Sequence, residues 1–93
     1  MKNIKFDVKV VRECLVNKGR VFTVRSWMDP AQESFVEVAE VGKCKKIRIA
    51  KISKMEDLAL YVNLSGFNSI QDWWVKVSQF GACNGWLYLV VRC

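Results

Sequence analysis

Ninety-three residues make one domain, and a 52% hydrophobic fraction with 12% aromatics is enough apolar side chain for a packed core. This excludes a disordered chain, which lacks the burial needed to offset conformational entropy. A net charge of +6 gives a field that attracts polyanions, while the absence of histidine removes the usual general base and the Ser-His and Cys-His nucleophile pairs.

In chain order, Ile4 to Phe6 reads as a short first strand. Asp7 then stands as N-cap of a helix whose buried face is Val8, Val11, Cys14 and Leu15, spaced i, i+3 and i+6/i+7. A continuous strand over Lys5 to Arg12 is the competing reading. Gly19 stops the helix, with Lys18 at the negative end of its dipole. Arg20 to Trp27 is β-branched and aromatic, hence a strand. Its alternation puts Arg20, Phe22, Val24 and Ser26 on one face and Val21, Thr23, Arg25 and Trp27 on the other. Met28 to Gln32, with the only proline, is a loop.

Ser34 to Val41 and Lys46 to Ile52 read as two strands joined by a hairpin loop at Gly42. That loop and its flanks carry Lys43, Lys45, Lys46 and Arg48. Met55 to Val62 shows a short helical pattern that breaks at Ser65-Gly66. Ser69 is a fitting N-cap, with Asp72 at the third helical position, for a helix running to about Phe80. That helix would bury some of Ile70, Trp73, Trp74 and Val77. Gly81 ends it, and Trp86 to Arg92 is the last strand. The order β-α-β-β-β-α-α-β, without repeats or linkers, predicts a single α+β domain over 1–93. Its expected form is a small, mostly antiparallel β-barrel with flanking helices.

The N-terminus leads into no apolar block, and the run Leu87 to Val91 falls far short of the roughly 20 residues of a membrane helix. A cytoplasmic protein without a membrane partner is therefore expected. Cys14, Cys44, Cys83 and Cys93 form no CxxC pair, so the expectation is reduced, mostly buried thiols, with no metal and no cofactor.

The densest chemistry lies in Lys18-Gly-Arg20-Val-Phe-Thr23-Val-Arg25-Ser-Trp27. Guanidinium groups grip phosphates in bidentate fashion, and an indole beside them can stack on a base. The same pattern also fits an amphipathic strand with a solvated outer face. The Lys43 to Arg48 hairpin, followed by Lys51 and Lys54, suits a backbone clamp, or equally a charged edge that prevents aggregation. Trp73 and Trp74 are helical neighbours and cannot point the same way, so one belongs to the core and the other is half-exposed. Trp86 and Tyr88 read as core.

Taken in order, these features resemble the ASCH domains, a branch of the PUA-like superfamily of small β-barrels. The likeness rests on the helix ending at Lys18-Gly19, the basic-x-x-Thr-x-Arg strand of Arg20, Thr23 and Arg25, and the Val41-Gly42 hairpin. It continues through Ser65-Gly66-Phe67 leading into a helix with Trp73 and Trp74, then Phe80-Gly81 and the aromatic strand of Trp86 and Tyr88. The resemblance implies a PUA-like barrel and a role in RNA binding or RNA-linked chemistry.

Some family members hydrolyse the acetyl amide of acetylated cytidine with a lysine, a threonine and a glutamate. The threonine matches Thr23, whereas the lysine position falls on Arg20 and the glutamate position on Ser65. Arginine stays protonated and cannot act as base, and serine cannot stand in for a carboxylate in proton transfer. The expectation is thus a non-catalytic domain binding RNA or single-stranded nucleic acid. Lys18, Arg20 and Arg25 would hold phosphate, Lys45 and Lys46 would clamp the backbone, Trp27 would stack on a base, and Thr23 and Ser65 would hydrogen-bond in the cleft. The rival readings are an RNA-directed hydrolase using Thr23 with Lys18 or Arg20, and an accessory subunit whose tryptophans, Trp74 foremost, form a protein interface.

Overall fold

Two glycines and a serine punctuate the chain where the sequence places them. Gly19 adopts the left-handed backbone (φ 78°) and donates its N–H to the Leu15 carbonyl at 2.9 Å, closing helix α1 (Lys9–Lys18). Ser69 accepts a hydrogen bond from the Asp72 N–H at 3.1 Å, opening helix α2 (Ile70–Gln79), and Gly81 (φ 69°) follows its end. The computed structural model describes residues 2–6 and 8–93, with Lys2 described in its backbone alone. Asp7, expected as the cap of α1, lies outside the described residues. The helix, not the competing strand, forms over this segment, and it buries Val11, Cys14 and Leu15. Burial pushes the thiols of Cys14 and Cys44 above the ordinary range.

The strands are β1 (Lys2–Ile4), β2 (Arg20–Arg25), β3 (Glu33–Val38), β4 (Gly42–Lys51) and β5 (Trp86–Arg92). They form one curled mixed sheet in the order β1-β3-β4-β5-β2, antiparallel except for the parallel β1–β3 contact. The first strand ends at Ile4, earlier than expected, and Phe6 goes into the core beyond it. The sheet stays open, leaving β1 and β2 as its edges, so the fold is an α+β half-barrel with two helices. A register shift between Arg48 and Ala50 bends β4 against β5.

Each sheet face carries a core. Leu15 and Cys14 of α1 pack on Val21, Val36, Val38, Cys44 and Val90. On the opposite face, Trp73 and Val77 of α2 pack with Leu58 and Leu87, joined by Phe22 and Val24. Phe67 touches both clusters and ties the helices together.

Two expectations are corrected. The helical pattern at Met55 to Val62 resolves into two 3-10 turns, Met55–Leu58 and Val62–Leu64; Leu58 alone among these residues is buried, too narrow an apolar face to pull a full helix onto the core. The hairpin turn covers 39–41, with Glu40 (φ 69°) and Gly42 (φ 106°) supplying the left-handed backbone. Lys43, Lys45, Lys46 and Arg48 therefore stand in β4, held in its ladder, and not in a flexible loop. Among the described residues no helix is long and apolar enough to cross a membrane.

Candidate functional site

As an edge strand, β2 is covered by a neighbouring strand on one side only. On the other side a cleft of 220 Å³ opens between the start of α1 and the C-terminal half of α2. Its floor is apolar, built by Phe6, Val11, Trp73 and Val77, all buried. Three cations line it: Lys5 after β1, Arg25 at the end of β2 and Lys76 on α2. Among the described lining residues there is no carboxylate. Trp27 and Phe80 stand at the cleft with 58% and 60% of their surface exposed, although aromatic rings usually bury most of theirs.

Thr23 faces the same space. It is 9% exposed, and its hydroxyl makes no hydrogen bond to any described residue. Thr23 is not among the residues with a fully buried unpaired polar atom, so its hydroxyl opens onto the cleft and is available to whatever enters it. The Arg25 guanidinium lies 5.1 Å from the Phe6 ring centroid, a cation–π contact that fixes where its charge stands. The whole is a flat apolar floor with one hydroxyl, cations on its walls and aromatic rings at its mouth. Pockets for drug-sized ligands run to about 300–1,000 Å³, so this cleft is sized for a smaller group.

The structure brings Thr23 and Arg25 together from one face of β2, as alternation predicts; β2 ends at Arg25, short of the expected Trp27, which reaches the cleft from the bend that follows. It separates the other expected residues from them. Arg20 is exposed on the opposite face of β2, because three residues along a strand reverse the side. Lys18 donates to the Asn63 carbonyl at 3.3 Å, away from the cleft. Ser65 is fully buried; its hydroxyl donates to the Val62 carbonyl (2.7 Å) and accepts from the Phe67 N–H (3.0 Å), so it braces the turn into α2. Lys45 pairs with Glu33 at 3.1 Å. Lys46 points into the fold, where it meets Asp29 at 3.0 Å with both side chains 6% exposed.

Sequence reading missed Lys5, Lys76 and Phe80. For the last two a signal existed, since Trp73, Lys76, Val77 and Phe80 recur at helical spacing and share one side of α2. Lys5 had none, because its place depends on the long-range β1–β3 pairing. Of the paired tryptophans, Trp73 is buried beneath the cleft and Trp74 is half-buried against the second core. Tyr88 is fully buried, and Trp86 is partly covered by Lys51, 5.3 Å from its ring centroid. No model of a known protein family matches the chain, and no curated protein or solved structure is significantly similar to it.

Proposed function

We propose that this is an ASCH-type, PUA-like domain that binds RNA or another single-stranded nucleic acid, taking one unstacked base into the cleft beside β2. The observation that carries this reading is the pairing of the unpartnered Thr23 hydroxyl with three lining cations and two exposed aromatic rings. Single strands are held by aromatic platforms under their bases and by cations along their backbone, and both elements stand within this one cleft. Thr23 hydrogen-bonds the base edge, Trp27 stacks on it, and Lys5, Arg25 and Lys76 take the flanking phosphates. The fit of the element order to the resembled family, from the Gly19 stop through the Thr23–Arg25 strand to the Ser65-Gly66-Phe67 turn, supports the same reading. Binding is favoured over hydrolysis because Arg20 and Ser65, where the family's lysine and glutamate positions fall, do not line the cleft that Thr23 faces.

Salt-titrated fluorescence anisotropy with short single-stranded RNA and DNA oligomers is the test. The expected result is binding in the micromolar range at low salt. Three phosphate contacts give a log–log slope of about −2. Arg25→Ala should flatten that slope and weaken binding about tenfold or more. Trp27→Ala should weaken it comparably at constant slope, since stacking carries no counterion release. Absence of binding at low salt would overturn the proposal.

A further inference from the structure

The loop that follows β2 has a composition that ordinarily leaves a surface segment mobile, yet it is strapped to the sheet by a buried polar network. The Asp29 carboxylate meets the Lys46 ammonium at 3.0 Å, each side chain 6% exposed, and accepts the Ala31 N–H at 3.2 Å. The Asp29 N–H donates to the Tyr88 hydroxyl (2.6 Å), which donates in turn to the Trp27 carbonyl (3.1 Å). Arg48 adds two ties: its side chain donates to the Asp29 carbonyl, and its backbone N–H donates to the Gln32 carbonyl at 2.7 Å. Lys46 also lies 4.7 Å from the Tyr88 ring centroid. These contacts restrain atoms of Trp27, Asp29, Ala31 and Gln32, and their anchors Lys46, Arg48 and Tyr88 stand in β4 and β5.

Burying two charges is an inefficient way to gain stability, because apolar residues of similar volume do as well or better. What such a pair supplies here is a fixed charge-to-charge geometry, since each buried charge is compensated where the other stands, even though Asp29 Oδ2 makes no hydrogen bond of its own among the described residues. Here that geometry ends at Trp27, whose carbonyl is fixed by Tyr88 while its ring stays exposed at the cleft. We infer that Asp29, Lys46 and Tyr88 are positioning residues that preset the Trp27 indole at the mouth of the cleft before ligand arrives. The inference rests on the proposed reading that Trp27 stacks on a base. A ring ordered in advance spares the ligand the entropic cost of ordering it, a gain worth about 3- to 10-fold in affinity.

The test uses the full chain labelled with 5-fluorotryptophan, its Trp27 resonance identified by Trp27→Phe, and a labelled oligouridine as ligand. Tyr88→Phe keeps the ring in the core and removes only the hydroxyl. Asp29→Asn, the second variant, keeps the shape and removes the charge. In both, the Trp27 fluorine resonance should move toward that of a mobile, solvated indole while those of Trp73, Trp74 and Trp86 hold still. Affinity for oligouridine should fall about 3- to 10-fold with the salt slope unchanged, because no cleft cation has been lost. A residue serving stability alone would leave both readouts at wild-type values in the folded variant. An unmoved Trp27 resonance in both variants, or a moved resonance with unchanged affinity, overturns the inference. The fluorine readout needs no ligand. A wild-type chain that fails to bind oligouridine would therefore overturn the proposed function, while the anchoring of Trp27 is still decided by the resonance.

Discussion

Gly66→Ala and Gly19→Ala place the same methyl group on two backbones of nearly equal twist, φ 87° and 78°. At Gly19 a Cβ would meet nothing within 4 Å, whereas at Gly66 it would stand 2.4 Å from the Val10 carbonyl oxygen and 2.8 Å from its carbon. A left-handed backbone costs a non-glycine residue about 1–2 kcal/mol, partly offset by about 0.4–1 kcal/mol from the stiffer unfolded chain. Gly19→Ala should therefore lose about 1 kcal/mol. At Gly66 the obstacle is main chain of α1, which cannot rotate aside as a side chain would, and overpacking adds about 1–3 kcal/mol. The sum is about 2–4 kcal/mol, a large share of the roughly 5–14 kcal/mol available to a domain of this size. Urea unfolding followed by tryptophan fluorescence measures both losses, compared at equal m-value. Gly66→Ala should also weaken the ligand, since the next residue, Phe67, stacks near Trp73 (6.4 Å between centroids) at the wall of the cleft. Equal losses for the two glycines would refute the close approach of this turn to α1.

Two further outcomes follow from the caps and turns. Ser69→Ala removes the side-chain N-cap of α2 and should cost about 1 kcal/mol, whereas Ser69→Gly should cost a few tenths, both read by thermal or urea unfolding. The Asp57 carboxyl is held below its ordinary range chiefly by the Ser53 N–H, with further help from the Lys54 N–H and the Ser53 hydroxyl. A lowered folded-state value contributes stability that is whole above the unfolded carboxyl's range and is lost as pH falls from there through the lower folded-state value. Thermal melts should thus show Asp57→Asn less stable than wild type at neutral pH, with the gap closing in acid; a gap independent of pH would refute the assignment.

How far the sequence discloses this fold depends on how local each determinant is. The C-terminal end of α1 and the N-terminal end of α2 were legible because caps act within one turn of backbone: Gly19 needs only its own φ, and Ser69 only the Asp72 N–H. The strand character of β2 and the separation of its two faces were equally legible from alternation, although the strand stops at Arg25. The fate of the basic residues of β4 was not. A lysine followed by isoleucine and arginine reads as surface, and only the pairing of β3 with β4 and β4 with β5 turns Lys46 toward Asp29, seventeen positions earlier in the chain. For the same reason Met28 to Gln32 was correctly a loop but gave no sign of being anchored, since its partners come from two strands that follow it.

The spacing of the basic-x-x-Thr-x-Arg strand decides what its members do together. Positions two apart share a strand face and positions three apart do not, so Thr23 and Arg25 converge while Arg20 departs. A bulge could have restored Arg20 to that face, but β2 runs in unbroken register from Arg20 opposite Val91 to Arg25 opposite Trp86. Arg20 can then act on a ligand in the cleft only through the long-range field, which salt screens within about 10 Å at moderate ionic strength. Beyond Arg25, the charge lining the cleft comes from other elements, Lys5 from the segment after β1 and Lys76 from α2, with Phe80 at that helix's C-cap. Three elements meeting at one uncovered strand edge make a pocket whose ligand is gripped from both sides of β2. Under the proposed function such a site holds a base and its phosphates; its lining gives Thr23 neither Arg20 nor Ser65, where the lysine and glutamate positions of the resembled hydrolases fall.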